Sequence, residues 1–393
     1  MRIRFSFGSF NSMDKFYLIV TPGLEDLAQK ELLRWAPLIE SEISHGGVHF
    51  EVPRRVGLEL NQCLKIPTRI LMRLSEFRCR DFPKLFKKTS ELPWEEWIHP
   101  NVQVEVVASS SKSRLNIKKR IQSTVEEGFL AFQKKKKISA GSESAKIYVR
   151  LFEDICTLSV DTSGERLHKR SSVGKHVGIA PLRETLAAAM LEDLLEGLTG
   201  NFQLIDPMVG SGTFLMEAAL KNKPLGKDFS SLVLANSQED SSTEESFKIE
   251  EPTSPWNLEK LKGFEFDQKT LHAAQRNLEQ MNLSIPFLLR RENVFEMKPL
   301  PTPDESRLVV CNPPYGERIK ISGSIKFYYE RLFQVIDRNF SPFRASFMLP
   351  TQKIKGRLQL PENWKVLRKT KTTNGGLSVT IYLFECLQNK KNS

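Results

Sequence analysis

The chain of 393 residues is long enough for two or three domains, its 40% apolar content suits ordinary packed cores, and no apolar run reaches membrane-span length. Lys and Arg outnumber Asp and Glu by 58 to 47, unevenly: residues 1–180 hold 30 basic and 21 acidic side chains (+9), residues 181–393 hold 28 and 26 (+2). That asymmetry suits a polyanion-binding module joined to a second module of different character.

Met1 to Asn11 carries Arg2 and Arg4 but no apolar stretch of secretory-signal length, so it is expected to be an extension rather than a leader. Phe16–Val20 predicts a strand, Pro22-Gly23 a turn, and Leu24, Leu27, Ala28 and Leu32 a helix. Val48–Val52 alternates like a half-buried strand, so residues 14–60 predict part of a small ferredoxin-like unit. Further on, Val102, Val104 and Val106 predict a strand, and Ser109–Ser113 a polar loop. Ile121, Val125, Phe129 and Phe132 predict the buried side of a helix. Lys112, Arg114, Lys118, Lys119 and Arg120 lie at its start and on its other face, and Lys134, Lys135, Lys136 and Lys137 are expected to follow it. Any one such run is usually a solvated helix face. The charge difference between the two halves favours a phosphate-binding surface. Ile147, Val149 and Leu151 alternate with polar residues, and Ile155–Asp161 adds another strand. Arg166–Arg170 extends the basic surface into a linker.

From 170 to 390 strands and helices alternate. Pro181 suits a first helical turn, continued by Leu182, Leu186, Ala189, Met190 and Leu194. The apolar run Phe202–Ile205 leads into Asp206-Pro207-Met208-Val209-Gly210-Ser211-Gly212-Thr213 and then a helical pattern. Strand, glycine turn, helix is the arrangement of nucleotide-binding α/β folds. A P-loop would need Lys-Ser/Thr after its last glycine, and a dinucleotide fingerprint a small residue where Leu215 stands. A purely structural turn leaves Asp206 unexplained. Residues 228–255 interrupt the domain. Six acids between Ser237 and Glu251, with one Lys, predict a flexible acidic insertion. Glu265, ending the next predicted strand, is placed to accept two ribose hydroxyls, and Asp267 to cap the helix after it. Asn293 falls where a third strand ends, as a turn residue or an adenine contact, with Val294 or Phe295 packing on the ring.

The apolar run Leu308–Cys311 is followed by Asn312-Pro313-Pro314-Tyr315. An exocyclic amine on a nucleobase is a poor nucleophile because its lone pair is delocalised. An Asn oxygen and a nearby backbone carbonyl can take both its protons, and two prolines stiffen the loop that carries them. Tyr315 offers a flat stacking face. Beyond it, Ile325–Arg338 predicts a helix and Ala345–Leu349 a strand. Asn374-Gly375-Gly376 joins two further strands in a hairpin. The five cysteines include no C-x-x-C pair and the six histidines do not cluster, so no metal centre is indicated and buried thiols in a reducing cytoplasm are expected.

Taken in order, these motifs resemble the class I S-adenosylmethionine-dependent methyltransferases that methylate amino groups. Asn312 to Arg318 and Ala180 to Ala187 resemble in particular the THUMP-domain RNA guanine-N2 methyltransferases, a group acting on 23S ribosomal RNA and tRNA. The resemblance implies a Rossmann-like catalytic domain over residues 170–390, preceded by a THUMP RNA-binding domain over 61–165 and the ferredoxin-like part at 14–60. It implies S-adenosylmethionine as cofactor, with its methionine part at Asp206, Met208, Gly210, Ser211 and Gly212, and catalysis at Asn312, Pro313, Pro314 and Tyr315. Many relatives carry Asp at the position of Asn293. Structured RNA is the implied partner, ribosomal RNA ahead of tRNA, with no metal and no membrane. Adenine N6, a protein glutamine, or RNA binding by a vestigial site are the alternatives.

Overall fold

A computed structural model describes residues 13–170, 182–225, 251–281, 283–301, 306–316 and 323–387. The expected N-terminal extension, His176, Ala180-Pro181, most of the acidic insertion and Glu317-Arg318 lie outside the described residues. The chain divides into two compact units. Among the described residues the first comprises 13–19 and 35–167, and the second comprises 20–34 and the remainder.

The first unit is built on one seven-stranded sheet. In chain order its elements are β1 (Asp14–Ile19), β2 (Ser41–Ser44), β3 (Gly47–Val52), α2 (Arg54–Cys63), β4 (Arg69–Arg78), α3 (Phe82–Ser90), β5 (Gln103–Ser111), α4 (Lys118–Lys136), β6 (Ser144–Phe152) and β7 (Ile155–Asp161); α1 (Glu25–Trp35) falls almost wholly in the second unit. The strand order is β2-β3-β1-β4-β7-β6-β5, antiparallel except for the parallel pair β5–β6. Strands from residues 14–60 and 61–165 therefore share one continuous sheet. β5 runs through to Ser111, where a loop was expected from Ser109. Its edge pairs with β6 up to Phe152, so the serines are held by a ladder rather than by apolar packing. Gly128 lets α3 and α4 meet, since a Cβ there would sit 2.1 Å from Thr89 Oγ1.

The second unit contains α5 (Glu184–Leu195), β8 (Gly200–Asp206), α6 (Thr213–Ala219), β9 (Trp256–Glu265), α7 (Gln268–Glu279), β10 (Phe287–Arg291), β11 (Ser306–Cys311), α8 (Ile325–Phe340), β12 (Arg344–Pro350), β13 (Trp364–Asn374) and β14 (Leu377–Cys386). The order is β10-β9-β8-β11-β12-β14-β13. The first five strands are parallel and β14 is antiparallel to both its neighbours. The Leu308–Cys311 part of β11 is apolar and buried on both faces, as a central parallel strand must be. Tyr329, Leu332, Phe333, Ile336 and Phe340 line the inward side of α8 and pack into a core with Phe347, Trp364 and Phe384. The β13–β14 hairpin turns at Gly375 and Gly376, with φ of +58° and +89°, the left-handed pair of a type I′ turn.

Candidate active site

Sheet growth reverses between β8 and β11, which puts a topological switch point between adjacent parallel strands. The three motifs singled out in the sequence sit at the carboxyl ends of β8, β9 and β11. Asp206 pairs in register with Gly263, two residues before Glu265, and Ile205 with Val309, three before Asn312.

The glycine turn is held from two sides. The Val209 N–H donates to the Phe264 carbonyl at 2.9 Å, and the buried Asn277 of α7 donates to the Ser211 carbonyl at 2.9 Å. Gly212 (φ +87°) precedes α6, and Gly210 has φ +54°. A Cβ built on Gly210 would meet nothing nearer than the Met208 carbonyl oxygen at 4.0 Å, so the space in front of the turn is open. Asp206 is 1% exposed and accepts from the Met208 N–H at 3.1 Å. Burial pushes its pKa up to about 8. The Met208 N–H works against that shift, and the charge of Glu265 adds to it.

Glu265 accepts from the Gly210 N–H at 3.0 Å through one oxygen and from the Asp267 N–H at 3.1 Å through the other. Each oxygen keeps a further lone pair for a ligand hydroxyl. Asp267 caps α7 as expected, accepting from the Thr270 N–H at 2.8 Å. Between the two acids Phe266 is 66% exposed, an aromatic face that the sequence reading passed over. Asn293 spends its side chain on its own turn, accepting from the Phe295 N–H at 3.2 Å and donating to Glu296 at 2.8 Å. Val294 is buried in the core at 3% exposure, so it offers no open face. Phe295 instead packs against Tyr328 with the rings tilted at 58° and their centroids 5.4 Å apart. The Tyr328 hydroxyl reaches the Met208 sulfur at 3.8 Å, linking α8 to the glycine turn.

At the end of β11 the Tyr315 hydroxyl donates to Asn312 Oδ1 at 2.6 Å. The buried Tyr329 donates to the Pro314 carbonyl at 2.8 Å, and Lys353 donates to the Tyr315 carbonyl at 2.9 Å. Neither Tyr329 nor Lys353 was expected from the sequence. Burial pushes the hydroxyls of Tyr315, Tyr328 and Tyr329 up, so all three stay protonated donors. Cys311, immediately before the loop, is fully buried. Burial raises its thiol well above the ordinary range and keeps it unreactive. Among the described residues no three His, Cys, Asp or Glu side chains are grouped to hold a metal, and no helix is long and apolar enough to cross a membrane.

In the first unit the basic residues of the 112–137 stretch are all exposed. Lys134–Lys136 form the last turn of α4, and Lys137 is its left-handed C-cap (φ +57°); they do not follow the helix as a separate run. The cations favour that end of the helix dipole. Lys136 pairs with Glu95 at 2.7 Å, Lys112 with Glu153 at 3.3 Å, and Arg120 lies over Phe82 at 4.0 Å. Lys84, Lys87 and Lys88 on the neighbouring α3 add exposed charge that the sequence reading did not use.

A family profile described as "RMKL-like, methyltransferase domain" matches residues 174–382, and a THUMP-domain profile matches 79–161. The chain is 26% identical to a Bacillus subtilis protein named "Putative RNA methyltransferase YpsC", over 95% of this chain and 96% of that one. It is 25% identical to the ribosomal RNA large subunit methyltransferase K/L of Syntrophotalea carbinolica, covering 96% of this chain but only 54% of that longer protein. Among solved structures, SMU.472, determined in complex with SAH, superposes with a TM-score of 0.78 at 23% identity, over 97% of this chain and all of that one. TrmN from Thermus thermophilus gives a TM-score of 0.67 at 18% identity, over 96% of this chain and all of that one.

Proposed function

The chain belongs to the family of RMKL-like methyltransferase domains, and from that premise we propose that it transfers a methyl group from S-adenosylmethionine to the N2 amino group of a guanosine in structured RNA, with large-subunit ribosomal RNA as the favoured substrate. One observation carries the reading. β8 and β11 are adjacent and parallel, so the glycine turn after one lies beside the Asn-Pro-Pro-Tyr loop after the other.

The residues present fit the cofactor. Open space in front of Gly210 admits a ligand close to the backbone, and Glu265 has lone pairs to spare for two ribose hydroxyls. The buried Asp206 would meet the ammonium of the methionine part and give up its proton there, because an adjacent cation favours the charged carboxylate. Met208, Ser211 and Gly212 complete the methionine side. Asn293, Val294 and Phe295 set the end of the third strand, with only the exposed Phe266 presenting a free ring next to Glu265. The cofactor, when bound, supplies a sulfonium methyl that is already a strong electrophile.

The protein's own part is orientation. Asn312 Oδ1 and the Pro313 carbonyl accept the two protons of the amino group and turn its lone pair outward. Tyr315 stacks on a base taken out of its helix, and Pro314 keeps the loop stiff. Holding the two reactants together removes most of the entropic barrier to a bimolecular step. The exposed cations Lys112, Arg114, Lys118, Lys119, Arg120 and Lys134 to Lys137 would neutralise phosphates and position the RNA without reading its sequence. The ribosomal preference rests on the name of the K/L relatives, whose length this chain half covers.

Nucleoside mass spectrometry of ribosomal RNA from cells with and without the gene tests the reading. Loss of N2-methylguanosine at one site, restored by the purified chain and S-adenosylmethionine, is the expected result. Loss of N6-methyladenosine instead, or label appearing in protein, would replace it.

A further inference from the structure

The Asn-Pro-Pro-Tyr loop has a mechanical difficulty. Pro313 and Pro314 have no N–H, so two successive residues cannot be tied to the sheet through backbone donors. The backbone of those two residues can accept hydrogen bonds only through carbonyls. Two side chains from different elements donate to carbonyls of the loop. Tyr329 sits on α8 with 0% exposure and donates to the Pro314 carbonyl at 2.8 Å. Lys353 ends the short helical turn Thr351–Lys353 after β12 and donates to the Tyr315 carbonyl at 2.9 Å. β12 is the parallel neighbour of β11, and α8 packs its aromatic side into the same core, so both donors are anchored to the elements that flank the loop. Among the described residues no hydrogen bond reaches the Pro313 carbonyl, the one assigned above to the substrate.

We propose that Tyr329 and Lys353 are positioning residues that clamp the Pro314 and Tyr315 carbonyls, so that Asn312 Oδ1 and the Pro313 carbonyl stay aimed at one amino group. The proposal rests on the methyl-transfer reading for its consequence but not for its geometry. Tyr329 holds its proton at any physiological pH, so its donor is permanent, and Lys353 adds a charged and therefore stronger bond. Removing either donor leaves the loop in place, packed by its prolines, but frees the rotation of the next peptide units. A displacement of about 1 Å at the reacting group is enough to cost about a hundredfold in rate.

The test uses the full chain with substrate RNA and labelled S-adenosylmethionine. Tyr329→Phe and Lys353→Met should each lower kcat by about ten- to a hundredfold, with the RNA KM and the cofactor Kd within about twofold of wild type. Lys353→Arg, which keeps a donor, should recover most of the loss, and the double variant should lose less than the product of the singles because both act on one loop. A second readout does not need activity. The Asn312 side-chain amide, followed by NMR relaxation, should lose order in Tyr329→Phe, from about 0.85, the value of a rigid group, to below about 0.6, with backbone order in α5 and β8 unchanged. Wild-type order at that amide, or wild-type kcat in both variants, overturns the clamp. If Tyr329→Phe does not fold, Lys353→Met decides. Lost order in a protein that never methylates RNA would uphold the clamp and defeat the functional reading instead.

Discussion

The two seven-stranded sheets use charge in opposite ways. In the first unit exposed cations stand on α3, on α4 and just before α4, and two of them, Lys136 and Lys112, pair with the surface carboxylates Glu95 and Glu153. In the second unit the charges that matter are buried. Asp206 is 1% exposed beneath the glycine turn, and the Asn312 oxygen is held in a loop fixed by hydroxyl and ammonium donors. Exposed charge binds a polyanion diffusely and is screened by salt. Buried polar groups cost desolvation and repay it only where their direction is fixed. The first arrangement suits holding a large substrate in many registers, and the second suits aiming at one atom.

Asn312→Ala should give the largest effect. Turnover in a tritiated-methyl assay should fall by about 10³-fold, the order seen when one preorganised polar group is removed from a reaction centre. Calorimetry should show cofactor affinity within about twofold of wild type. Activity close to wild type would place the aiming function elsewhere. Replacing Lys134–Lys137 with Gln should do the reverse: kcat on saturating RNA unchanged, RNA affinity lower, and the slope of log K against log salt shallower by about two to three units, since each phosphate contact contributes about 0.7 to 0.9. Lys136 is partly spent on Glu95, which keeps the expected change below four contacts. An unaltered salt slope would remove α4 from the RNA surface.

The two regions also differed in how far the sequence revealed them. The second unit announced itself because its chemistry lies in contiguous motifs at strand ends, where glycines, prolines and acids are required by backbone geometry and not by distant packing. Residues 54–90 of the first unit gave no such signal. α2 buries Asn61 at 0% exposure, which blurs its apolar stripe, and the alternation of β4 is broken by a bulge between Arg73 and Ser75. α3 is only nine residues long, although Asp81 before Pro83 is a helix-start pattern that could have found it. Tyr329 and Lys353 were illegible for another reason. They lie 15 and 38 residues from the carbonyls they hold, and only the docking of α8 and β12 beside β11 brings them there.

A third experiment sharpens the contrast through pH. The folded pKa of Asp206, about 8, lies above its ordinary 3.8, so native and unfolded chains hold the proton equally below about pH 4. Stability is then lost as pH rises towards 8, where the unfolded chain has ionised and the buried carboxyl resists. Asp206→Asn should therefore gain thermal stability over wild type between pH 5 and pH 8.5, while losing cofactor affinity. In wild type, affinity should rise with pH up to about 8; in the variant that rise should be absent. A pH-independent difference in melting temperature would mean that Asp206 is not the group being titrated.

The smallest effect is expected at Tyr315, where two roles can be separated. Its hydroxyl donates to Asn312 Oδ1 at 2.6 Å, and its ring is the stacking face assigned to the base. Tyr315→Phe keeps the ring and removes the donor. An Asn carbonyl oxygen has two lone pairs, so the hydroxyl need not leave for an amino group to bind, and its loss costs one hydrogen bond, about 0.5–1.5 kcal/mol. If the hydroxyl orients Asn312, kcat should fall by only about two- to tenfold with the RNA KM unchanged. If it instead blocks the acceptor until substrate arrives, kcat/KM should rise, because substrate no longer has to displace it. Tyr315→Ala removes the ring as well and should raise the RNA KM in either case, which separates stacking on the base from control of the acceptor.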